Sequence, residues 1–173
     1  MVRLQSLREP AHFLQVLGQI FSDELRQLPI SRGLVILGGE LRIDCGDLTE
    51  TVRHASVPGL NSQHLRSQCG SWSLSLLYGE WRVARGQTTL VLNGEPSDGI
   101  NIGDVLVGAR IDTLEMTDYG ALSIQLDKGI GIFCESTSCE NLDHLDFSWS
   151  LARRGRWTIG FTVGGEYVFE KYC

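Results

Sequence analysis

Glu135, Glu140, Asp143, His144 and Asp146 crowd the stretch before Trp149, with Cys134 and Cys139 among them. Paired carboxylates can act as general acid and base when a cleft holds them at different pKa values. On an open loop the same residues are a solvated acidic face, which is the expected state here. A third use fits an acidic chain better than either: an acidic loop on a rigid β scaffold complements a basic protein surface and hastens encounter with it. Asp44, Asp47 and Glu50 stand in the matching place of the first half. The residues expected to meet a partner are therefore Glu135, Glu140, Asp143, Asp146, Asp44, Asp47 and Glu50.

Other chemistries find less support. Cys134, Cys139 and His144 lie close together, and Cys45, His54, His64 and Cys69 span a second stretch, but neither has the tight paired spacing of a structural zinc site. Reduced thiols without metal are the expectation, with the role of Cys173 open. No G-x-S-x-G elbow, Walker loop, dinucleotide fingerprint, H-E-x-x-H or EF-hand loop occurs. His12, His54, His64 and His144 have no recognisable catalytic context, and no cofactor is expected. An enzyme using Cys134 or the acidic loop stays as the third reading.

The 173 residues are 42% apolar and carry 15 Lys and Arg against 21 Asp and Glu, a formal charge of −6. That size and composition predict one soluble domain with area for a core. The sign of the charge disfavours nucleic acid, whose binders neutralise phosphates with cations. The opening residues Met1 to Pro10 are charged and reach a proline before an apolar run of signal length builds up. Nor does any segment reach the roughly 18 apolar residues of a membrane helix. The expected location is cytoplasmic.

The elements that must carry these residues show an internal resemblance. Ser71-Trp72-Ser73-Leu74 precedes Gly79-Glu80-Trp81-Arg82-Val83, and Ser148-Trp149-Ser150-Leu151 precedes Gly155-Arg156-Trp157-Thr158-Ile159. Upstream, Leu34-Val35-Ile36, Gly38-Gly39 and Leu41 to Cys45 match Leu122-Ser123-Ile124, Asp127-Lys128-Gly129 and Ile130 to Cys134, and Val16 to Phe21 match Leu106 to Ile111. Two diverged copies follow, about 12–92 and 102–171, with 93–101 as connector. Period-two alternation across glycine turns predicts a hairpin in each copy around Gly38-Gly39 and Asp127-Lys128-Gly129. Each tryptophan pair predicts a second hairpin, and Thr88 to Leu92 and Glu166 to Phe169 predict closing strands.

Two segments are less clear. Phe13, Leu14, Leu17, Ile20, Phe21, Leu25 and Leu28 recur at helical spacing behind Pro10 and predict a helix over part of 10–27, whereas the repeat predicts a strand from about Leu17. Residues 46–70 read as a short helix or an irregular loop. The copies are too small to bury separate cores, so the expected fold is mainly β with minor α: two diverged β-hairpin repeats forming one sandwich or partly open barrel with pseudo-two-fold symmetry. The tryptophans belong in its interior; the rival reading is a small-molecule-binding β-barrel or sandwich with a Trp-lined pocket.

The run Val107-Gly108-x-x-Ile111, Leu122-x-Ile124-x-Leu126-Asp127-x-Gly129, Ile130-x-Ile132 and an acidic loop closing on Phe147-Ser148-Trp149-Ser150-Leu151 resembles small bacterial immunity-type proteins of polymorphic toxin systems. The similarity covers most of 105–151 and lends no functional residue. It implies a non-enzymatic cytoplasmic binder and does not identify the partner; together with the negative charge and the missing catalytic motifs it makes the expected function a protein-binding module, an immunity protein that neutralises a basic toxin domain by covering its active site. Pairing through an edge such as Glu166 to Phe169 would give a homodimer, which Glu170 and Lys171 discourage.

Overall fold

Alternating apolar residues supply most of the elements. The computed structural model describes residues 5–6, 10–36, 39–55, 63–77, 80–97, 99–117, 119–135 and 146–171. The first half runs β1 (Gln5–Ser6), α1 (Pro10–Ile20), a π-helical turn (Phe21–Leu25), β2 (Ile30–Ile36), β3 (Glu40–Cys45), β4 (Thr49–Ala55), β5 (Gln63–Cys69), β6 (Trp72–Leu76), β7 (Glu80–Arg85), β8 (Thr88–Leu92) and β9 (Glu95–Pro96). The second runs α2 (Ile102–Leu106), β10 (Ile111–Met116), β11 (Leu122–Leu126), β12 (Ile130–Glu135), β13 (Phe147–Arg153), β14 (Trp157–Thr162) and β15 (Tyr167–Lys171).

Two open antiparallel sheets result, so the fold is mainly β and sandwich-like, with no closed barrel among the described residues. The first has the order β1-β15-β14-β13-β6-β3-β2 and the second β10-β11-β12-β7-β8-β9; β4 and β5 pair by themselves. Leu41, Ile43, Leu74, Leu76, Leu151 and Ile159 of the first sheet share one buried cluster with Trp81, Val83, Ile124, Ile130 and Ile132 of the second. Each such side chain contributes about 1.5–3 kcal/mol of burial. No helix among the described residues is long and apolar enough to cross a membrane.

Pro10 opens α1 as expected, and Phe13 and Leu17 face the core. The Phe13 ring lies 4.8 Å from that of Tyr167 and 6.2 Å from that of Trp149. The π turn then inserts one residue into the helical count, closing with the Arg26 amide donating to the Phe21 carbonyl at 3.0 Å. Leu25 is thereby buried, while Glu24 stays half-exposed and pairs with Arg153. Helical spacing from Pro10 prevails over the strand that the repeat suggested.

Three other expectations need correction. Within 46–70, residues 49–55 and 63–69 form neither a helix nor an irregular loop, because β4 and β5 pair antiparallel from Thr49↔Cys69 to Ala55↔Gln63; residues 56–62 lie outside the described residues. Thr49, Thr51 and Val52 are β-branched and favour such a ladder. Trp72 and Trp81 do not share a hairpin: β6 pairs with β3 and β13, whereas β7 pairs with β12 and β8 in the other sheet. Alternation fixes which face of a strand is buried, not which strand lies beside it. The matching β13–β14 hairpin does form. The edge proposed for self-pairing is occupied at Val168 and Phe169 by β1.

The strand orders of the two sheets map onto each other. Reading β2-β3-β6-β13-β14-β15 and exchanging first-half strands with second-half ones in sequence gives β10-β11-β12-β7-β8-β9. Details follow the same exchange. The Trp81 indole donates to the Gly39 carbonyl at 2.7 Å, and the Trp149 indole to the Gly120 carbonyl at 2.8 Å. Ladder irregularities fall between Ile30 and Arg32 and between Ile111 and Thr113. The Gly46 amide reaches the Pro29 carbonyl at 2.9 Å, and the Asp127 amide the Arg110 carbonyl at 3.0 Å. Pro29 and Arg110, the equivalent positions, bridge to each other. In this exchange of strands Trp149 takes the place of Trp81, and Trp72 lies one strand away.

Gly120 shows how tight this arrangement is. Its φ is +79°, and a Cβ there would sit 2.2 Å from Cε1 of Phe161. Gly155 also has a positive φ, +66°, but faces open space. In urea unfolding, Gly120→Ala is expected to cost about 3 kcal/mol from strain and clash together, and Gly155→Ala about 1 kcal/mol. Equal losses would contradict this packing.

Candidate functional site

Among the described residues, the acidic side chains read from the sequence do not converge. Asp44, expected at the contact surface, is 0% exposed and so cannot meet a partner. Asp47 and Glu50 are exposed between β3 and the start of β4. In the first sheet Cys45 and Arg153 both oppose Trp72, while Leu41 and Trp149 both oppose Leu76. Asp44 thus lies at the Trp72 end, and Asp146, just ahead of β13, lies beyond the Leu76 end. Four residues of strand separate the ends by about 13 Å. The group Asp44, Asp47, Glu50 is consequently not the counterpart of Glu135 and Asp146. Glu140 and Asp143 lie outside the described residues, as do Cys139, His144 and Cys173.

Asp44 serves a structural centre. Strand alternation turns it away from Leu41 and Ile43 onto the outer face of the first sheet, where its carboxylate accepts from Arg32 Nε at 2.9 Å, from Arg32 Nη2 and from the Ser73 hydroxyl. Arg42 Nε stands 3.5 Å from the same group. Burial alone raises the Asp44 pKa; the hydrogen bonds from Ser73 and Arg32 and the charges of Arg42 and Arg32 outweigh it and hold the carboxyl below its usual range.

The Cys45 and Cys134 thiols are not poised for catalysis. Burial, assisted by the neighbouring Asp44, pushes Cys45 up to about 12, and burial with Glu135 does the same to Cys134, also to about 12. Both remain thiols at neutral pH, and the thiolate is the nucleophile. Nor do the tryptophans make a platform. Trp72, Trp81 and Trp149 are no more than 2% exposed. Trp157, half-buried, packs edge-on to Trp72 at 4.7 Å and borders a hollow of about 310 Å³ with Val16, Ile20 and Phe169. No group of three His, Cys, Asp or Glu among the described residues could hold a metal ion.

Glu135 does reach a surface of distinct character. At the end of β12 it directly opposes Glu80 of β7, and both are exposed. Like charges directly opposed across a ladder are destabilising. Beside them a register row crosses the outer face of the second sheet: Glu115, Ser123, Phe133, Arg82 and Leu92. Phe133 lies over Gly131, where a Cβ would come within 2.6 Å of its ring, and the Arg82 guanidinium stacks 4.7 Å above it. Leu92 is 52% exposed. Two hollows, of about 270 and 60 Å³, share Arg82, Phe133 and Glu135 in their walls. An apolar floor with three carboxylates at its rim can accept a cationic side chain on a greasy stem. Glu80, Arg82, Phe133 and Leu92 escaped sequence reading because only register brings them together.

The Asp44 cluster has a definite pH signature. A carboxyl depressed in the folded state stabilises the fold above its unfolded pKa of about 3.9, and that contribution is lost as pH falls through the folded value. Unfolding free energy should fall on acidification below about pH 4, and Asp44→Asn should remove about 3 kcal/mol at pH 7 by leaving Arg32 and Arg42 opposed without a counterion. Urea titrations at pH 7 and pH 3 measure both; a substitution without effect at pH 7 would refute the role. No family model, curated protein or solved structure matches this chain.

Proposed function

We propose that this chain is a non-catalytic protein-binding module that covers a basic surface of its partner, with neutralisation of a toxin domain as its biological use. The observation that carries the reading is the Glu80–Glu135 opposition beside exposed Leu92 and the Arg82-capped Phe133 ring. Two carboxylates held side by side cost stability in the free protein, and a cationic partner relieves that cost. A centre of apolar and aromatic side chains with a charged rim is the anatomy of a protein interface. The net charge of −6 supplies long-range steering toward the same class of partner and away from nucleic acid.

Two further parts belong to this proposal. The matching strand orders and paired indole bonds support an origin by duplication of an ancestral helix followed by two three-stranded meanders, one in each sheet. A cytoplasmic location accords with the buried free thiols of Cys45 and Cys134.

The test uses the product of the adjoining gene as partner. A complex should form whose association slows with added salt, and the double substitution Glu80→Lys and Glu135→Lys should reduce the association rate about tenfold or more with the fold intact. Surface plasmon resonance at two ionic strengths reads both. Unchanged association by the double variant, or hydrolytic activity of the purified chain, would overturn the reading.

A further inference from the structure

The outer face of the first sheet carries a further hollow, of about 290 Å³, walled by Arg42, Ser73, Ser75, Ser150 and Arg154. Ser75 and Ser150 are direct cross-strand partners, as are Arg42 and Ser75, so guanidinium and hydroxyls form one row across β3, β6 and β13. The turn after β13 brings Arg154 to the rim.

Arg42 is poorly satisfied for a side chain with five donors. Its Nη2 has a thiol, Cys69 Sγ, at 3.2 Å and the Ser73 hydroxyl at 3.4 Å, and its Nε is buried without a hydrogen bond. The carboxylate of Asp44, 3.5 Å from that Nε, is already engaged by Arg32 and Ser73. Two guanidiniums on one carboxylate leave an excess positive charge. Arg154 adds another: its Nη2 donates to the Glu50 carbonyl at 3.3 Å, and it makes no ion pair among the described residues. A cationic hollow that also holds the Ser75 and Ser150 hydroxyls is unexplained by packing in an acidic protein.

We propose that this hollow binds a phosphoryl group. Its donors come from three strands and a turn, a floor of guanidinium and hydroxyls with Arg154 at the rim, which offers separate partners to the several oxygens of a phosphoryl group, and guanidiniums are the preferred partners of phosphate oxygens. The volume lies at the lower limit for small-molecule sites, enough for one phosphoryl group on a short stem and too little for a nucleotide. The site lies on the opposite sheet from Glu80 and Glu135 and stands apart from the proposed partner surface.

Amide chemical shifts of the full chain, titrated at constant ionic strength with inorganic phosphate, O-phosphoserine or acetate against a chloride baseline, test it. Saturable shifts at Ser75, Ser150 and Gly155 are expected with either phosphate compound, with a Kd of about 1 mM or tighter. Tighter O-phosphoserine would assign a phosphorylated side chain, and equal affinity free phosphate or a small phosphate ester. Arg154→Gln should weaken binding at least tenfold and Ser150→Val should abolish it, with circular dichroism unchanged. No saturation beyond chloride, preference for acetate, or indifference to both substitutions would overturn the proposal.

Discussion

A buried indole N–H must find an acceptor, because leaving it unpaired costs about 1–3 kcal/mol. Trp81 and Trp149 meet that demand in the same way, each donating to the carbonyl of a turn glycine on a neighbouring meander, Gly39 and Gly120. Each bond ties the first strand of one meander to the turn of another. Trp81 does so from β7, the strand that enters the second sheet, and Trp149 from β13, the strand that returns to the first. The two ties sit where the chain changes sheet, with β6 meeting β13 on one side and β7 meeting β12 on the other.

This placement decides where function can reside. Rings that hold the sheets together are not available to a ligand, and thiols buried beneath them lose their nucleophilic form. The chemistry is displaced to the two outward faces, whose characters differ. The first sheet shows small hydroxyl residues beside arginines that share one buried carboxylate. The second shows a lone aromatic ring under a guanidinium, with carboxylates at its margin. An acidic chain can thus present a cationic hollow on one side and a surface suited to cations on the other.

Much of the fold was legible in the residues. Alternation around Gly39 and Gly129 gave the β2–β3 and β11–β12 hairpins, and the spacing from Phe13 to Leu25 gave α1, because periodicity directly reflects which side is buried. Strand neighbours were not legible. Trp72 and Trp81 look like one hairpin since they are close in sequence and both alternate, yet a crossing between sheets preserves both features. The π turn at Phe21–Leu25 and the β4–β5 ladder likewise depend on tertiary context. For the surface residues the failure is sharper: Asp44, Asp47 and Glu50 look like a solvated run, but one outward-pointing position in the ladder places Asp44 between two arginines. Glu135 was identified, while its counterpart Glu80 is separated from it by more than fifty positions and only register reveals the pair.

Hydrogen exchange of the indole N–H protons, followed by two-dimensional NMR, probes the paired ties without altering the chain. The Trp81 and Trp149 resonances should both be retained long after turn amides such as those of Gly155 and Gly165 have exchanged, and should decay together at the rate of global unfolding. Rapid loss of either indole proton, or widely different protection of the two, would show that the halves are not pinned by equivalent bonds.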